Sequence, residues 1–141
     1  MNTAILAPAA VLVAWSLVML LWLARARLTA MANSGFDLGK APPGGRGQDL
    51  EGRVPPQVMW KSHNYTHLME QPTLFYAVVM ILALAGASQL DVTLAWSYAT
   101  LRIVHSVYQS TINKVAVRFA IFMVATFCLI ALAVRALIVT L

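Results

Sequence analysis

Polar and ionisable side chains recur at helical spacing in the stretch 63–76, which reads HNYTHLMEQPTLFY. His63, His67 and Glu70 stand at positions i, i+4 and i+7, so a helix places all three groups on one face. The residues that follow Pro72 form an apolar run that reaches Leu90 without a charge. The stretch is therefore predicted to be the polar end of a membrane helix, and the face that carries its titratable side chains is a candidate binding site.

A second polar face follows in the segment 91–113, where Tyr98, Arg102, His105 and Gln109 occupy positions i, i+4, i+7 and i+11. Arg102 lies near the middle of this segment. An arginine at such a depth costs about 2.5 to 3.5 kcal/mol on insertion scales and faces a partner or a water-filled cavity instead of lipid. Glu70 is the predicted partner, and the pair could lock two helices together, contact a ligand, or do both.

Arginines also stand at the ends of the first and last apolar segments. Arg118 falls in the first turn of a helix that begins near Lys114, where the helix dipole already supplies partial positive charge. Both features would favour an anion, so this is a candidate anion or thiolate site, with interfacial snorkelling as the alternative. Arg25 and Arg27 end the first apolar run; both can set topology, and Arg25 is also a candidate ligand residue.

The composition indicates a membrane protein, with 60% hydrophobic residues, 11% charged residues and a mean hydropathy of +0.74. Residues 1–24 carry no charge and precede Arg25, whereas a secretory signal has its charges first, so the segment is predicted to be a retained helix. The net charge of +5 does not indicate nucleic-acid binding, because the basic residues bracket apolar runs. The single cysteine, Cys128, is predicted to be a small buried thiol.

The predicted fold is all-α: a single membrane domain, 1–141, built as an integral four-helix bundle with four transmembrane helices. The helices are expected at about 3–28, 56–87, 91–111 and 115–140, with a mobile loop at 29–55. Pro72 should kink the second helix beside Glu70, and Asp91 is a possible N-cap or interfacial charge at the start of the third. The positive-inside rule places the 29–55 loop in the cytoplasm, although Arg135 near the C-terminus runs against it.

In this topology the polar halves of the two middle helices and the basic loops face the same side. The predicted cluster has a net positive charge that suits a small acidic ligand, and apolar walls for a lipophilic co-substrate. Its members are Arg25, His67, Glu70, Arg102, His105, Tyr108 and Arg118.

The segments HLMEQPTLFYAV and RIVHSVYQSTINKVAVRF resemble the MAPEG family, the membrane-associated proteins of eicosanoid and glutathione metabolism, in its bacterial branch. The resemblance covers about residues 5–138. Members are four-helix membrane proteins, typically homotrimers, that hold glutathione between neighbouring subunits near the cytoplasmic side. The resemblance therefore implies glutathione as cofactor, a homotrimer, and a multi-pass location in a bacterial inner membrane.

The resemblance also implies roles for individual residues. Glu70 matches the glutamate that contacts the glutathione backbone, Arg118 the arginine that stabilises the thiolate, and Arg25 an arginine that meets a ligand carboxylate. Arg102 and His105 match a basic residue and a ligand position, and Tyr108 stands near a tyrosine that contacts the ligand. His63, Thr66 and His67 depart from the pattern, because characterised members have an arginine-rich stretch and an asparagine there.

The function implied is a glutathione-dependent transferase or peroxidase for lipophilic electrophiles or hydroperoxides, with Arg118 and Tyr108 in catalytic roles. Arg25, His67, Glu70, Arg102 and His105 would position the peptide. A non-catalytic bundle that binds lipid or a small acid is the alternative; it predicts that Arg102 and Glu70 neutralise one another and leave no pocket. A proton-linked carrier and a zinc site at His63 and His67 are weaker alternatives, because inverted repeats and an HExxH pattern are both missing.

Overall fold

A computed structural model describes residues 3–141, and the chain is helical throughout its regular parts. There is no strand within these residues. A short 3-10 turn, Thr3–Ile5, leads into the first helix, and two more 3-10 turns, Leu38–Lys40 and Gly47–Leu50, interrupt the long loop. The five helices are α1 (Leu6–Ser34), α2 (Pro56–Leu68), α3 (Gln71–Ala85), α4 (Gln89–Thr111) and α5 (Val115–Thr140).

Within residues 3–141, three stretches are long and apolar enough to cross a membrane: Thr3–Ser34, Pro56–Ala85 and Val115–Thr140. The helices α2 and α3 together form the second of these. α4 is more polar than these three stretches, because it carries Arg102, His105 and Gln109, all of them buried. It packs against α1, α2 and α5. The protein is therefore an all-α integral membrane bundle of four helical rods, as the sequence predicts.

The first helix continues past the predicted end at residue 28 to Ser34. Ala30, Met31 and Ala32 favour helix, and Gly35 is the first residue that can end it. Gly35 adopts a left-handed conformation with φ of 69°, and the N–H of Phe36 donates to the carbonyl of Met31 at 3.1 Å. This hydrogen bond satisfies a terminal carbonyl and turns the chain into the loop.

The kink predicted at Pro72 is confirmed as a complete break between α2 and α3. Proline has no N–H to donate to the carbonyl of Leu68, and its ring clashes with that carbonyl, which favours an interruption of the helix at this point. Glu70, at the break, has φ of −89° and ψ of −97°, which is not a helical conformation. The break turns the Glu70 side chain outward, and 62% of that side chain is exposed.

Gln71 ties the broken helix to its two neighbours. The Tyr98 hydroxyl of α4 donates to Gln71 Oε1 at 3.1 Å, and Gln71 Nε2 donates to the Thr126 hydroxyl of α5 at 3.0 Å. Tyr98 is fully buried and its ring stacks on Phe75 with centroids 4.4 Å apart. These contacts hold the position of the break relative to α4 and α5.

The far end of the bundle contains an ion pair that accounts for Arg135. Ser88 is the N-cap of α4, and Asp91 is the third residue of a capping box with it, so Asp91 is not itself the N-cap. Arg135 Nε of α5 lies 3.0 Å from Asp91 Oδ1. The charge of Arg135 is thus compensated within the bundle.

Candidate functional site

A cleft of about 570 Å³ opens between α2, α4, the start of α5 and the loop before α2. Its volume lies within the range of roughly 300 to 1,000 Å³ that is common for small-molecule sites. The lining combines ionisable, amide and aromatic side chains: Gln48, Glu51, His63, Thr66, His67, Glu70, His105, Gln109, Val115, Arg118, Phe119 and Phe122.

Two histidines and a phenylalanine form one wall of the cleft. The rings of His67 and His105 lie 5.1 Å apart between centroids, and Phe122 lies 5.1 Å from His67 and 6.0 Å from His105. Nδ1 of each histidine is buried and has no hydrogen-bond partner among the described residues. Each therefore offers an unused polar atom beside an apolar ring.

Two carboxylates line the cleft and remain in contact with solvent. Glu70 lies 4.0 Å from His67 Nε2, and Glu51 lies 3.8 Å from His63 Nε2, with the Glu51 side chain 67% exposed. Arg118 is the guanidinium that lines the cleft, so within this chain the two glutamates outnumber the lining arginine. This lining lacks the net positive charge expected from the sequence, because Glu51 enters from the loop.

The helix start of α5 positions Arg118. Asn113, in the turn before α5, has φ of 57°, a left-handed conformation that asparagine tolerates better than most residues. Arg118 Nη1 donates to Asn113 Oδ1 at 2.6 Å, and the Asn113 N–H donates to the carbonyl of Tyr108 at 2.9 Å. This chain of hydrogen bonds holds a half-buried guanidinium at the edge of the cleft.

Arg102 lies fully buried behind the cleft wall. Its Nη2 donates to the carbonyl of His67 at 3.0 Å, and its guanidinium lies 5.5 Å from the centroid of the Phe122 ring. Nε and Nη1 are buried without a hydrogen-bond partner in the described part of the chain. Arg102 is therefore a buried cation whose hydrogen-bonding capacity is only partly used.

The predicted pairing of Arg102 with Glu70 is wrong. None of the ion pairs within residues 3–141 involves Arg102. The helix break provides the physical reason. α2 ends at Leu68, and the His67 carbonyl accepts from Arg102 as well as from the Glu70 N–H at 3.4 Å, while the Glu70 side chain turns toward solvent. The cation is thus bound by backbone, and the carboxylate stays open to the cleft.

Four of the predicted site residues, His67, Glu70, His105 and Arg118, line the cleft together. Arg25 and Tyr108 do not. Arg25 is exposed on α1, and Tyr108 is half-buried on α4.

Gln109, one position after Tyr108, lines the cleft instead, because it follows His105 by one helical turn. Its side chain is 6% exposed, and its Oε1 lacks a hydrogen-bond partner among the residues described. Its place on the polar face of α4 was visible in the sequence. Gln48 and Glu51 were missed because the loop shows no periodic pattern that indicates which residues fold back.

His63, His67 and His105 all line the cleft. Across residues 3–141, no group of three or more His, Cys, Asp or Glu side chains is arranged to hold a metal ion.

The sequence matches the model of the MAPEG family over residues 5–138, nearly the whole chain. Comparisons with curated proteins and with solved structures give no match. The match covers α1 to α4, α5 except its last two residues, and every residue that lines the cleft.

Proposed function

The chain belongs to the MAPEG family, and we propose that it is a glutathione-dependent transferase or peroxidase embedded in the membrane. Its substrates would be lipophilic electrophiles or hydroperoxides that reach the site from the bilayer. The observation that carries this proposal is the cleft itself, which combines Arg118, Glu70 and two histidines with the exposed aromatic ring of Phe119.

The polar groups of the cleft fit glutathione, which has two carboxylates, an ammonium group and two peptide bonds. Glu51 and Glu70 suit the ammonium group, because exposed carboxylates bind cations without a large desolvation cost. Gln109 and the two unpartnered histidine Nδ1 atoms suit the peptide groups and carboxylates. His63, Thr66 and His67 stand where characterised members have an arginine-rich stretch and an asparagine, so the acidic ends would depend more on Arg118.

Glutathione, when bound, supplies a nucleophilic thiol. Arg118 stabilises negative charge on that sulfur, and the N-terminus of α5 acts in the same direction. Asn113 keeps the guanidinium in place through its 2.6 Å hydrogen bond. The aromatic side chains of Phe119 and Phe122 exclude water on one side and provide apolar contact for a lipophilic substrate.

We further propose that the site is completed in a homotrimer. Arg25 is exposed on α1, and apolar side chains along α1, α3 and α5 are also exposed. Arg25 would then contact a ligand carboxylate in the site of a neighbouring subunit. Tyr108 is proposed as a hydrogen-bond donor to the thiolate in the assembled site.

For the membrane orientation we propose that the 29–55 loop is cytoplasmic and that the protein lies in a bacterial inner membrane. Gln48 and Glu51 line the cleft, so the cleft opens on the side of this loop. Arg135, which pairs with Asp91, still runs against this assignment, because the positive-inside rule counts lysine and arginine and not net charge.

The non-catalytic alternative predicts that Arg102 and Glu70 neutralise one another and close the site. In the described residues Arg102 binds a backbone carbonyl instead, and Glu70 borders an open cleft. This arrangement favours a ligand site over a purely structural one. A binding protein for a small acid is the second candidate function. It differs from the enzyme in that it binds its ligand without turnover.

The test is consumption of glutathione by the purified protein with a lipophilic aryl halide and, separately, a lipid hydroperoxide. Turnover above the buffer rate that Arg118→Ala lowers would support the enzyme. Lys114→Gln is the matched control, because Lys114 is exposed in the same turn and does not line the cleft. Saturable glutathione binding without turnover of either class would indicate the binding protein.

A further inference from the structure

A second cavity, of about 520 Å³, lies between the C-terminal end of α1 and the loop that follows it. It shares no lining residue with the cleft described above. Met31 and Leu50 are buried at its apolar side, while Leu28 and Leu38 are 58% and 61% exposed at its edge. The cavity therefore presents an apolar surface that is open to its surroundings.

The same cavity carries three arginines and a single acidic residue. Arg27, Arg46 and Arg53 line it, together with Asp49. No ion pair in the described part of the chain includes any of these arginines. Their positive charge is therefore available to an anionic ligand.

Arg27 is the most tightly held of the three. Its Nη2 donates to the Ser62 hydroxyl of α2, and its guanidinium lies so close to Gly47 that a Cβ at that position would overlap it. Arg46 and Arg53 are exposed. One fixed arginine and two adjustable ones suit a phosphate group, which accepts several hydrogen bonds from guanidinium.

The position of the cavity indicates where its ligand comes from. The uncharged run of α1 ends at Ala24, directly before Arg25, and Ala24, Arg27 and Leu28 line the cavity. The cavity is therefore at the boundary between hydrocarbon and water, where acyl chains and headgroups meet.

We propose that this cavity binds an anionic phospholipid of the surrounding bilayer. The phosphate lies among Arg27, Arg46 and Arg53, and an acyl chain lies along Leu28 and Leu38. Topology-setting arginines would need no cavity of this size and no apolar wall beside them. A zwitterionic lipid binds less well, because its positive headgroup faces the same three arginines.

The experiment uses the purified full chain in neutral detergent. Binding of phosphatidylglycerol and of phosphatidylcholine with the same acyl chains is measured by native mass spectrometry. The expected result is a preference for phosphatidylglycerol, with a loss of about fivefold in affinity for each arginine removed in Arg46→Gln and Arg53→Gln. Leu38→Asn, a variant of the apolar edge, should weaken binding of both lipids.

Lys40→Gln is the matched control. Lys40 is a basic residue of the same loop that pairs with Asp37 at 3.7 Å and does not line the cavity. Its replacement should leave the lipid preference unchanged. Equal affinity for the two lipids, or an equal loss in Lys40→Gln, would overturn the proposal. Binding of inorganic phosphate as tight as that of phosphatidylglycerol would also overturn it, because the acyl chain would then contribute nothing to binding.

Discussion

Replacing Arg118 by alanine removes the guanidinium that lines the cleft and leaves its acceptor, Asn113, in place. Two unit charges about 4 Å apart interact by about 4 kcal/mol at an effective dielectric constant near 20. Arg118 is only half-buried, so solvent should reduce its effect on a bound thiolate to about 1 to 2 kcal/mol. The expected loss in kcat/KM for glutathione conjugation is therefore about 5- to 30-fold.

Two measurements separate this electrostatic effect from a general loss of structure. The conjugation rate gives kcat/KM, and the ultraviolet absorbance of the thiolate, followed against pH, gives its population on the protein. Arg118→Ala should lower both at neutral pH, whereas Arg118→Lys should retain most of each because the positive charge remains.

Lys114→Gln should leave both quantities near the wild-type values, because Lys114 does not line the cleft. An Arg118→Ala protein with unchanged kcat/KM and unchanged thiolate absorbance would refute the proposed stabilisation of the thiolate by Arg118. An equal loss in Lys114→Gln would refute it as well, since the effect would then come from overall charge.

Three further predictions concern the site and the frame that holds it. Glu70→Gln should weaken glutathione binding by up to about fivefold, measured by calorimetry, with thermal stability unchanged because the side chain is largely exposed. Gln71→Leu leaves the buried Tyr98 hydroxyl without its acceptor and should lower the free energy of unfolding by about 1 to 3 kcal/mol. Adding Tyr98→Phe should recover part of that loss in the same denaturation assay; full additivity of the two changes would contradict the proposed hydrogen bond. Native mass spectrometry of the detergent-purified protein should show three times the chain mass of 15.4 kDa, and a monomer at all detergent concentrations would contradict the trimer.

Much of the fold could be predicted from local features of the sequence, namely its apolar runs, its prolines and the helical spacing of its polar residues. The apolar runs predict the membrane helices, and Pro72 predicts the break because a missing N–H acts on its own helix. The polar face of α4 was also predictable, since its members repeat at helical spacing. The end of α1 was harder to predict. Thr29 and Asn33 favour helix only weakly, yet the chain stays helical until Gly35.

The site was harder to predict, because its composition depends on contacts between distant segments. Glu51 and Gln48 enter the cleft from a loop without periodicity, so no pattern marks them. The partner of Arg102 is the backbone carbonyl of His67 at the end of α2, and pairing opposite charges along the sequence does not identify such an acceptor. The compensation of Arg135 by Asp91 likewise depends on how α4 and α5 pack.

The most direct test of the proposed glutathione site is calorimetric titration of glutathione into the purified protein and into its Arg118→Ala and Glu70→Gln variants. We expect saturable glutathione binding that both substitutions weaken while the helical content stays the same. The absence of saturable binding at millimolar glutathione, with the protein folded, would contradict it.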